Sequence, residues 1–248
     1  NNSDLIISDE DFASLTVAQN LKIPNILITD VLETKFTKGI ASFIEKKMNR
    51  SMMKIIKNSN LVIIPEEGDD QDNIRRTGPI VRETNLSREE LRRKFSFNKT
   101  TIVISIGGTS AGLFLIDKAI EAILKINQDI EIVLVSGPSV TKKFDNVKNL
   151  GFIDNLHELI SASDLIISLA GKSTIDEAKA YGTPGIFIPI KDHFEQEDNA
   201  KMEGFVFEDI NRLDELILEK LEEKRNEVNT DGTKLASEII RKLIKEKS

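Results

Sequence analysis

The chain has 248 residues, a length that predicts about two domains, and its 40% hydrophobic and 30% charged residues are ordinary for a folded globular protein. Lys and Arg number 34 against 41 Asp and Glu, and this net charge of −7, with one Tyr and no Trp, argues against a nucleic-acid-binding protein. The absence of Cys excludes disulfides, Cys-bound zinc, iron–sulfur clusters and thiol catalysis, and only two His, His157 and His193, argue against a His-rich metal site.

Short apolar runs alternate with helical patterns along the chain. The predicted strands are 4–8, 25–29, 61–64, 101–106, 131–135, 165–168 and 185–188. The predicted helices lie near 12–21, 36–58, 112–127, 155–162, 173–181 and 195–203. The strands are apolar and β-branched at successive positions, which favours strands buried on both faces of a parallel sheet. The alternation therefore predicts an α/β fold of the doubly wound, parallel-sheet type.

A break in this pattern at residues 77–82, TGPIVR, marks a domain boundary near residue 80, because Gly and Pro interrupt regular structure. A charged helix follows, with Ser87 and Glu90 at the spacing of a capping box. Two further charged helices are predicted near 211–226 and 232–247. The sequence thus predicts three parts: a partial α/β domain at 1–80, a complete set of βα units at 81–230, and a C-terminal helix at 231–248.

The first motif is a strand that ends in a glycine pair and opens a helix, residues 105–112, SIGGTSAG. Glycines let backbone amides approach an anion, and a helix N-terminus adds free N–H donors and a positive dipole end. Thr109 and Ser110 add hydroxyl donors. The motif therefore predicts a phosphate site at Gly107 and Gly108, with a plain helix cap in a tight turn as the alternative.

The second motif, residues 168–177 or SLAGKSTIDE, also joins a strand to a helix through a small-residue turn. A P-loop is excluded, because that pattern needs a Gly five positions before Gly171 and Ile166 stands there. The turn is a second anion-binding helix start. Glu177 lies about one turn into the helix, where its carboxylate can accept two ribose hydroxyls, and the alternative is a capping acid favoured by the helix dipole.

The third motif is the polar loop and helix start at 189–200, PIKDHFEQEDNA. His193, Glu195 and Gln196 follow a strand, at the sheet edge where open α/β folds bind ligands. A Glu–Gln pair offers acceptors and donors that suit sugar hydroxyls. The alternative is a solvated acidic loop.

The predicted helix 35–57 is basic in an otherwise acidic chain. It contains seven Lys and Arg residues but only one Glu, and its apolar residues recur at helical spacing. Such a helix is a candidate for contact with an anionic membrane surface or lipid. The alternative is an ordinary surface helix with a solvated basic face.

These three motifs and the TGPIVR segment together resemble the MurG-like group of GT-B glycosyltransferases, with a family 28 C-terminal domain. The resemblance is carried most strongly by residues 162–200, ASDLIISLAGKSTIDEAKAYGTPGIFIPIKDHFEQEDNA. That group's pattern runs ADLVIS-x-AG-x-ST-x-x-E, then G-x-P, then a loop ending in Q-x-x-NA. The resemblance implies two Rossmann-like domains of GT-B type, the first only partly represented.

The resemblance also implies roles for single residues in binding a nucleotide-sugar. Contacts with the phosphates are implied for two groups of residues: Gly107, Gly108, Thr109 and Ser110, and the turn of Gly171, Lys172, Ser173 and Thr174. Lys172 either adds charge at the phosphate or points to solvent. Glu177 is implied to hold the ribose, Ile153 the base through its backbone, and Arg82 the diphosphate. Gln196, with Glu195 and His193 beside it, is implied to bind the donor sugar.

Family resemblance further implies an inverting, metal-independent transfer of a sugar from a UDP-sugar, in polysaccharide or glycolipid biosynthesis, with no cofactor. The general base of relatives lies in a glycine- and His-containing loop that nothing here matches. We expect that loop either upstream of Asn1 or on another subunit. Within the chain, Asp9, Glu10 and Asp30 are the candidates, each with a capping or structural role as the alternative.

Two other functions stay open at this point: a UDP-sugar hydrolase on the same fold, and a donor-binding subunit that needs a catalytic partner. The expected partners are a nucleotide-sugar, a sugar or lipid-linked acceptor and an anionic membrane, but no nucleic acid. No apolar run approaches the roughly 20 residues that cross a bilayer, and no signal peptide is evident. A cytoplasmic location, with peripheral contact on the inner membrane face, is therefore expected.

Overall fold

The computed structural model of the chain describes residues 3–35, 42–108, 110–126, 128–138, 140, 142, 144–228 and 230–247. The chain forms two compact units. The first unit comprises Asn1–Val81 with Thr230–Ser248, and the second comprises Arg82–Asn229. The first six residues of the predicted helix 36–58, and Thr109 of the glycine motif, lie outside the described residues.

The first unit is built on a four-stranded parallel sheet in the order β1-β2-β3-β4. Its elements are β1 Ile6–Asp9, α1 Phe12–Asn20, β2 Asn25–Ile28, α2 Ser42–Asn58, β3 Leu61–Ile64, β4 Ile74–Arg76 and, from the end of the chain, α9 Gly232–Lys247. One face of the sheet packs against α1 and α2 around Leu27 and Val62. On α9, Ala236 and the apolar stripe beside it pack with Ile26 and Ile63.

The second unit is built on a five-stranded parallel sheet in the order β7-β6-β5-β8-β9. Its elements are α3 Arg88–Phe95, β5 Thr100–Ser105, α4 Leu113–Lys125, β6 Ile130–Val135, β7 Val147–Gly151, α5 Leu156–Ala162, β8 Leu165–Leu169, α6 Lys172–Ala180, β9 Gly185–Ile188, α7 Phe194–Met202 and α8 Leu213–Glu222. Short 3-10 turns at Ser110–Gly112 and Phe207–Arg212 precede α4 and α8.

The predicted α/β fold with parallel sheets is confirmed, and the central strands explain why it was visible. Ile102, Val103 and Ile104 of β5 are fully buried on both faces of the sheet. Burying an aliphatic side chain of this size contributes about 1.5–3 kcal/mol. The capping box at the start of α3 is also confirmed, since Ser87 Oγ accepts from the Glu90 amide and Glu90 Oε2 accepts from the Ser87 amide.

Two strands were missed by the sequence analysis, and both lie at sheet edges. β4 has the sequence IRR and is only partly buried. β7 has the sequence VKNLG, with its polar side chains exposed. Both strands carry polar residues and are only partly buried, so they contain no continuous apolar run. The other two edge strands, β1 and β9, were predicted because each contains a run of apolar residues. A search for apolar runs therefore overlooks β4 and β7.

Candidate functional site at the carboxyl edge of the second sheet

The loops that carry the predicted site residues all leave one edge of the second sheet. Strands β5, β8 and β9 are parallel neighbours, so their carboxyl ends lie side by side. The glycine motif follows β5, the Gly171 turn follows β8, and the 189–193 loop follows β9. Ligands of open α/β sheets bind at this edge, where the strand order reverses. The fold thus brings three motifs from 90 residues of sequence to one edge.

The glycine corner after β5 leaves room for a ligand. Gly107 has φ +72°, a left-handed conformation that side chains rarely adopt. A Cβ built on Gly107 or Gly108 would meet nothing within 4 Å. Of the two hydroxyl residues predicted to bind here, Thr109 lies outside the described residues. Ser110 begins a 3-10 turn, and its side chain is also outside the described part of the structure.

A further glycine of this corner, Gly137 in the loop after β6, was missed. A Cβ on Gly137 would lie 2.3 Å from the main-chain oxygen of Gly108, so only glycine lets the two loops approach this closely. The loop after β6 therefore packs directly against the main chain of the Gly107–Gly108 turn and helps to fix its conformation. The sequence signal was present, because Ser136-Gly137-Pro138 directly follows a predicted strand.

The start of α6 offers unused backbone donors at the next corner. Gly171 is the N-cap and makes no side-chain cap, and the first bond of the helix runs from the Ile175 amide to Gly171 O, 3.2 Å. The amides of residues 172–174 therefore lack intrahelical acceptors. A Cβ on Gly171 would meet nothing within 4 Å. The corner combines open space, free N–H groups and the positive end of the helix dipole.

Lys172, at this corner, neither extends into solvent nor stands as a free cation. Its Nζ donates to both carboxylate oxygens of Asp176, 2.6 Å each, and both side chains are largely buried. Burial raises the pKa of Asp176 in spite of the lysine. The pair closes on itself within one turn of α6.

Glu177, the next residue, is paired with a residue far away in sequence. It is 3% exposed, and its Oε1 accepts from Arg82 Nε at 2.9 Å. The Arg82 side chain remains 55% exposed. The buried carboxylate is thus compensated by a cation that faces solvent, and Arg82 lies at the predicted ribose acid.

Arg82 also contacts the loop after β7. Its Nη1 donates to the main-chain oxygen of Asp154, 2.7 Å, and Asp154 follows Ile153, the predicted base contact. The Tyr181 hydroxyl donates to the main-chain oxygen of Arg82, 2.6 Å. Neither Tyr181 nor Asp154 was singled out from the sequence, because the contacts join residues that are 72 and 99 positions apart.

His157, in the first turn of α5, lies beside this cluster. Its pKa is lowered by burial, opposed by the charge of Glu177 and reinforced by that of Arg82. Within the described part of the chain, its buried Nδ1 has no hydrogen-bond partner. Both observations favour the neutral imidazole.

The third motif builds the corner after β9. Gln196 Oε1 accepts from the Ile190 amide, 3.1 Å, which folds the loop onto the helix start. His193 is the N-cap of α7, and its Nδ1 accepts from the Gln196 amide, 3.4 Å. Glu195 lies in the first turn of α7. The Gln196 amide NH₂ has no partner among the described residues and is available as a donor.

The predicted acids of the first unit lie at the carboxyl edge of the other sheet. Asp9 ends β1 and Asp30 follows β2, and these strands are parallel neighbours. Glu10 has φ 56° and its amide donates to Ile28 O, 3.0 Å. All three stay candidates for the base.

In the described ranges, no group of three or more His, Asp or Glu side chains is arranged to hold a metal ion. No helix among the described residues has the length and apolar character needed to span a membrane.

Comparison with known proteins agrees with this architecture. An "Uncharacterized glycosyltransferase" of Methanopyrus kandleri is 26% identical over 211 residues, covering 79% of this chain and 60% of the relative. The UDP-N-acetylglucosamine–N-acetylmuramyl-(pentapeptide) pyrophosphoryl-undecaprenol N-acetylglucosamine transferase of Carboxydothermus hydrogenoformans is 32% identical over 146 residues, covering 52% of this chain and 39% of the relative. The chain thus spans less than two thirds of the length of each of these relatives.

Solved structures show the same fold. MurG of Acinetobacter baumannii matches with a TM-score of 0.57 at 16% identity, covering 96% of this chain and 74% of that structure. The sequence model of the glycosyltransferase family 28 C-terminal domain matches residues 101–248, more than half of the chain and all three corners of the candidate site. The chain belongs to the glycosyltransferase family 28 C-terminal domain family.

Proposed function

We propose that the protein is a glycosyltransferase that binds a nucleotide-sugar, specifically a UDP-sugar, at the carboxyl edge of its second sheet. The supporting observation is the pair of corners at Gly107–Gly108 and Gly171, which follow two neighbouring parallel strands. Both corners have open space for a ligand, and the Gly171 corner also has backbone N–H groups without intrahelical acceptors. Two such corners suit a diphosphate, whose oxygens need several N–H donors. Membership of family 28 and the names of the relatives support the same activity.

The nucleoside is proposed to lie across the neighbouring loops of this edge. Glu177 would accept the ribose hydroxyls, and the backbone at Ile153 would contact the base. The Gln196 amide would donate to the sugar from the corner after β9. Uridine as the base is supported by the UDP-N-acetylglucosamine transferase named above. Competition binding with UDP and thymidine diphosphate on the full chain tests this choice.

The reaction proposed is a single displacement with inversion. The acceptor oxygen attacks the anomeric carbon, the bond from that carbon to the diphosphate breaks, and the electron pair leaves with UDP. A general base takes the acceptor proton. Helix α6 and the two glycine corners would stabilise the charge that develops on the diphosphate. Asp9, Glu10 and Asp30 are the candidates for the base.

Metal independence is part of this proposal, because backbone amides and the α6 dipole would do the work of a divalent cation at the leaving group. Transfer in excess chelator tests it. Unchanged turnover supports the mechanism, and loss of turnover that Mg²⁺ restores contradicts it.

The same assay separates the proposed transferase from its alternatives. Turnover of a UDP-sugar that depends on an added acceptor supports transfer. Rapid release of free sugar without an acceptor would identify a hydrolase. UDP binding without turnover, with activity restored by a second polypeptide, would identify a donor-binding subunit.

Peripheral contact with an anionic membrane through α2 is proposed as a second interaction. Phe43 and Ile44 are 73% and 72% exposed, and Lys47, Arg50 and Lys54 continue the same exposed face at helical spacing. Exposed aromatic and aliphatic side chains beside cations suit a negatively charged lipid surface. Co-sedimentation with phosphatidylserine vesicles should weaken with salt and disappear with Phe43→Ser. Binding that neutral vesicles match contradicts the proposal.

A further inference from the structure

Arg82 is held at three points on the nucleoside side of the donor edge. Its side chain donates to Glu177 and to the main-chain oxygen of Asp154, and its main-chain oxygen accepts from Tyr181. A side chain that is 55% exposed would otherwise sample many rotamers. The three bonds keep the guanidinium between the loop after β7 and helix α6.

Tyr181 is well placed to act as the anchor of this arrangement. It follows the last residue of α6, and its amide donates to Glu177 O, 3.1 Å, so the two side chains are one helical turn apart. Its own main-chain oxygen accepts from Arg225 Nη2, 2.7 Å, which fixes the end of the helix. Burial, and then the charge of Glu177, raises the pKa of Tyr181 against the opposing effect of a hydrogen bond from the Thr84 main chain, so the phenol keeps its proton and donates it.

Arg82 can orient Glu177 without blocking a nucleotide. An ionised carboxylate offers about four acceptor positions on its two oxygens, and Arg82 occupies one of them on Oε1. A ribose diol needs two. Because a buried carboxylate is costly without a cation, the position of Arg82 decides how Glu177 is presented.

We propose that Tyr181 is a positioning residue of the donor site: its hydroxyl holds the main chain of Arg82, and Arg82 in turn fixes the Glu177 carboxylate for the ribose hydroxyls of a nucleoside diphosphate. This role rests on the proposed function, since it needs the nucleotide at this edge. It adds a residue outside the three motifs, and it gives Arg82 a place at the nucleoside.

The first test is a double-mutant cycle on the full chain, with UDP binding measured by calorimetry. Tyr181→Phe removes one hydroxyl and should weaken UDP binding about 3- to 10-fold, the effect of one hydrogen bond. Arg82→Ala should cost less in the Tyr181→Phe background than in the wild type, because the residues act in series. Unchanged affinity of Tyr181→Phe, or full additivity, overturns the role.

Thr233→Val is the matched control for this cycle. Thr233 Oγ1 donates to the main-chain oxygen of Val81, 2.9 Å, the same kind of bond one residue earlier in the chain and inside the first unit. Its loss should leave UDP affinity unchanged. An equal loss for Thr233→Val would show that general stiffness of the segment matters and would overturn the specific role of Tyr181.

A second readout does not depend on UDP. The chain has one Tyr and no Trp, so the near-ultraviolet absorbance of the phenolate reports Tyr181 alone. Glu177→Gln should lower the pKa of Tyr181, because the charge of Glu177 raises it. An unchanged titration overturns the arrangement. A wild-type chain that binds no UDP overturns the proposed function and the positioning role together, whereas UDP binding unaffected by Tyr181→Phe overturns the positioning role alone.

Discussion

The two sheets of the protein are both parallel, yet the loops that follow β1, β2 and β3 differ in charge from those that follow β5 and β8. In the first unit, acidic residues follow three successive strands: Asp9, Glu10, Asp11, Asp30, Glu66 and Glu67. In the second unit, residues 106–112 and 170–171 contain no Asp or Glu and expose glycine backbone instead. The first sheet thus presents an acidic edge, whereas two corners of the second sheet offer glycine backbone without carboxylates.

This contrast bears on which edge would hold the nucleotide-sugar donor. A diphosphate is stabilised by N–H donors and is repelled by carboxylates, which favours the second edge for the donor. A hydroxyl acceptor needs a proton acceptor, and Asp9, Glu10 and Asp30 at the first edge are the proposed candidates for that role.

The largest effect on UDP affinity is expected when a carboxylate, as found at the first edge, is introduced at a glycine corner of the second edge. Gly171→Asp should lower UDP affinity by about 100-fold or more, because like charges in direct contact cost several kcal/mol. The fold should be retained, since a Cβ there meets nothing within 4 Å and Asp is a preferred N-cap. Calorimetry with UDP and urea unfolding measure the two effects.

Gly171→Ala is the control for that substitution, because it adds the Cβ without the charge. It should lose much less affinity than Gly171→Asp. Equal losses for the two variants would show that bulk, and not charge, excludes the nucleotide, and would remove the electrostatic part of the contrast.

Removal of the one buried acid that the donor edge uses should have the next largest effect. Glu177→Gln is expected to weaken UDP binding by about 1–3 kcal/mol, the cost of hydrogen bonds to a charged group. Glu203→Gln, which alters a carboxylate paired with Lys179, is the control and should leave binding unchanged. Full UDP affinity in Glu177→Gln would reject the ribose role.

The sugar end of the donor edge should respond selectively. Gln196→Ala is expected to weaken binding of a UDP-sugar by about 0.5–1.5 kcal/mol while UDP itself binds nearly as before, because only the sugar meets this amide. Calorimetry with both ligands measures the difference. Similar losses for both ligands would assign Gln196 to the structure of the 189–193 loop, where it accepts from Ile190.

The ionisation of His157 should give a small, pH-dependent effect on stability. Burial lowers its pKa below 6.5, so the unfolded chain takes up a proton first as the pH falls. Its stabilising contribution is therefore complete above pH 6.5 and is lost as the pH falls through the folded-state pKa. In His157→Asn, the free energy of unfolding, measured with urea, should depend less on pH between 6.5 and the folded-state pKa. An unchanged pH dependence would contradict the buried neutral form.

The smallest effect on the donor is expected from the acidic edge. Asp9→Asn and Asp30→Asn should leave UDP affinity nearly unchanged, because both residues belong to the first unit and the proposed nucleotide contacts lie on loops of the second sheet. A selective fall in kcat in either variant would identify the general base. A clear change in UDP affinity would contradict the placement of the donor at the second sheet alone.

The sequence predicted the parts of this molecule that depend on local patterns. Central strands such as β5 and β8 were found because they are apolar throughout, and the corners at Gly107 and Gly171 because glycine follows a strand and precedes a helix. The start of α3 was found through Ser87 and Glu90, which cap it within one turn.

Contacts between distant residues were not predictable in the same way. The Arg82–Glu177 pair joins positions 95 residues apart, and no local pattern states which cation will meet a buried acid. The Lys172–Asp176 pair shows the same limit at close range, because burial and not spacing decides whether a lysine faces a ligand or a neighbour. Edge strand β7 was missed for want of a continuous apolar run.

Hydrogen–deuterium exchange of the full chain, with and without UDP, tests the placement of the donor at the second sheet most directly. We predict that UDP slows exchange of the amides in 105–112, 152–157 and 171–177, and leaves 9–11 and 29–31 unchanged. Protection of the first-unit segments, or no protection at the second-unit corners, would contradict the account.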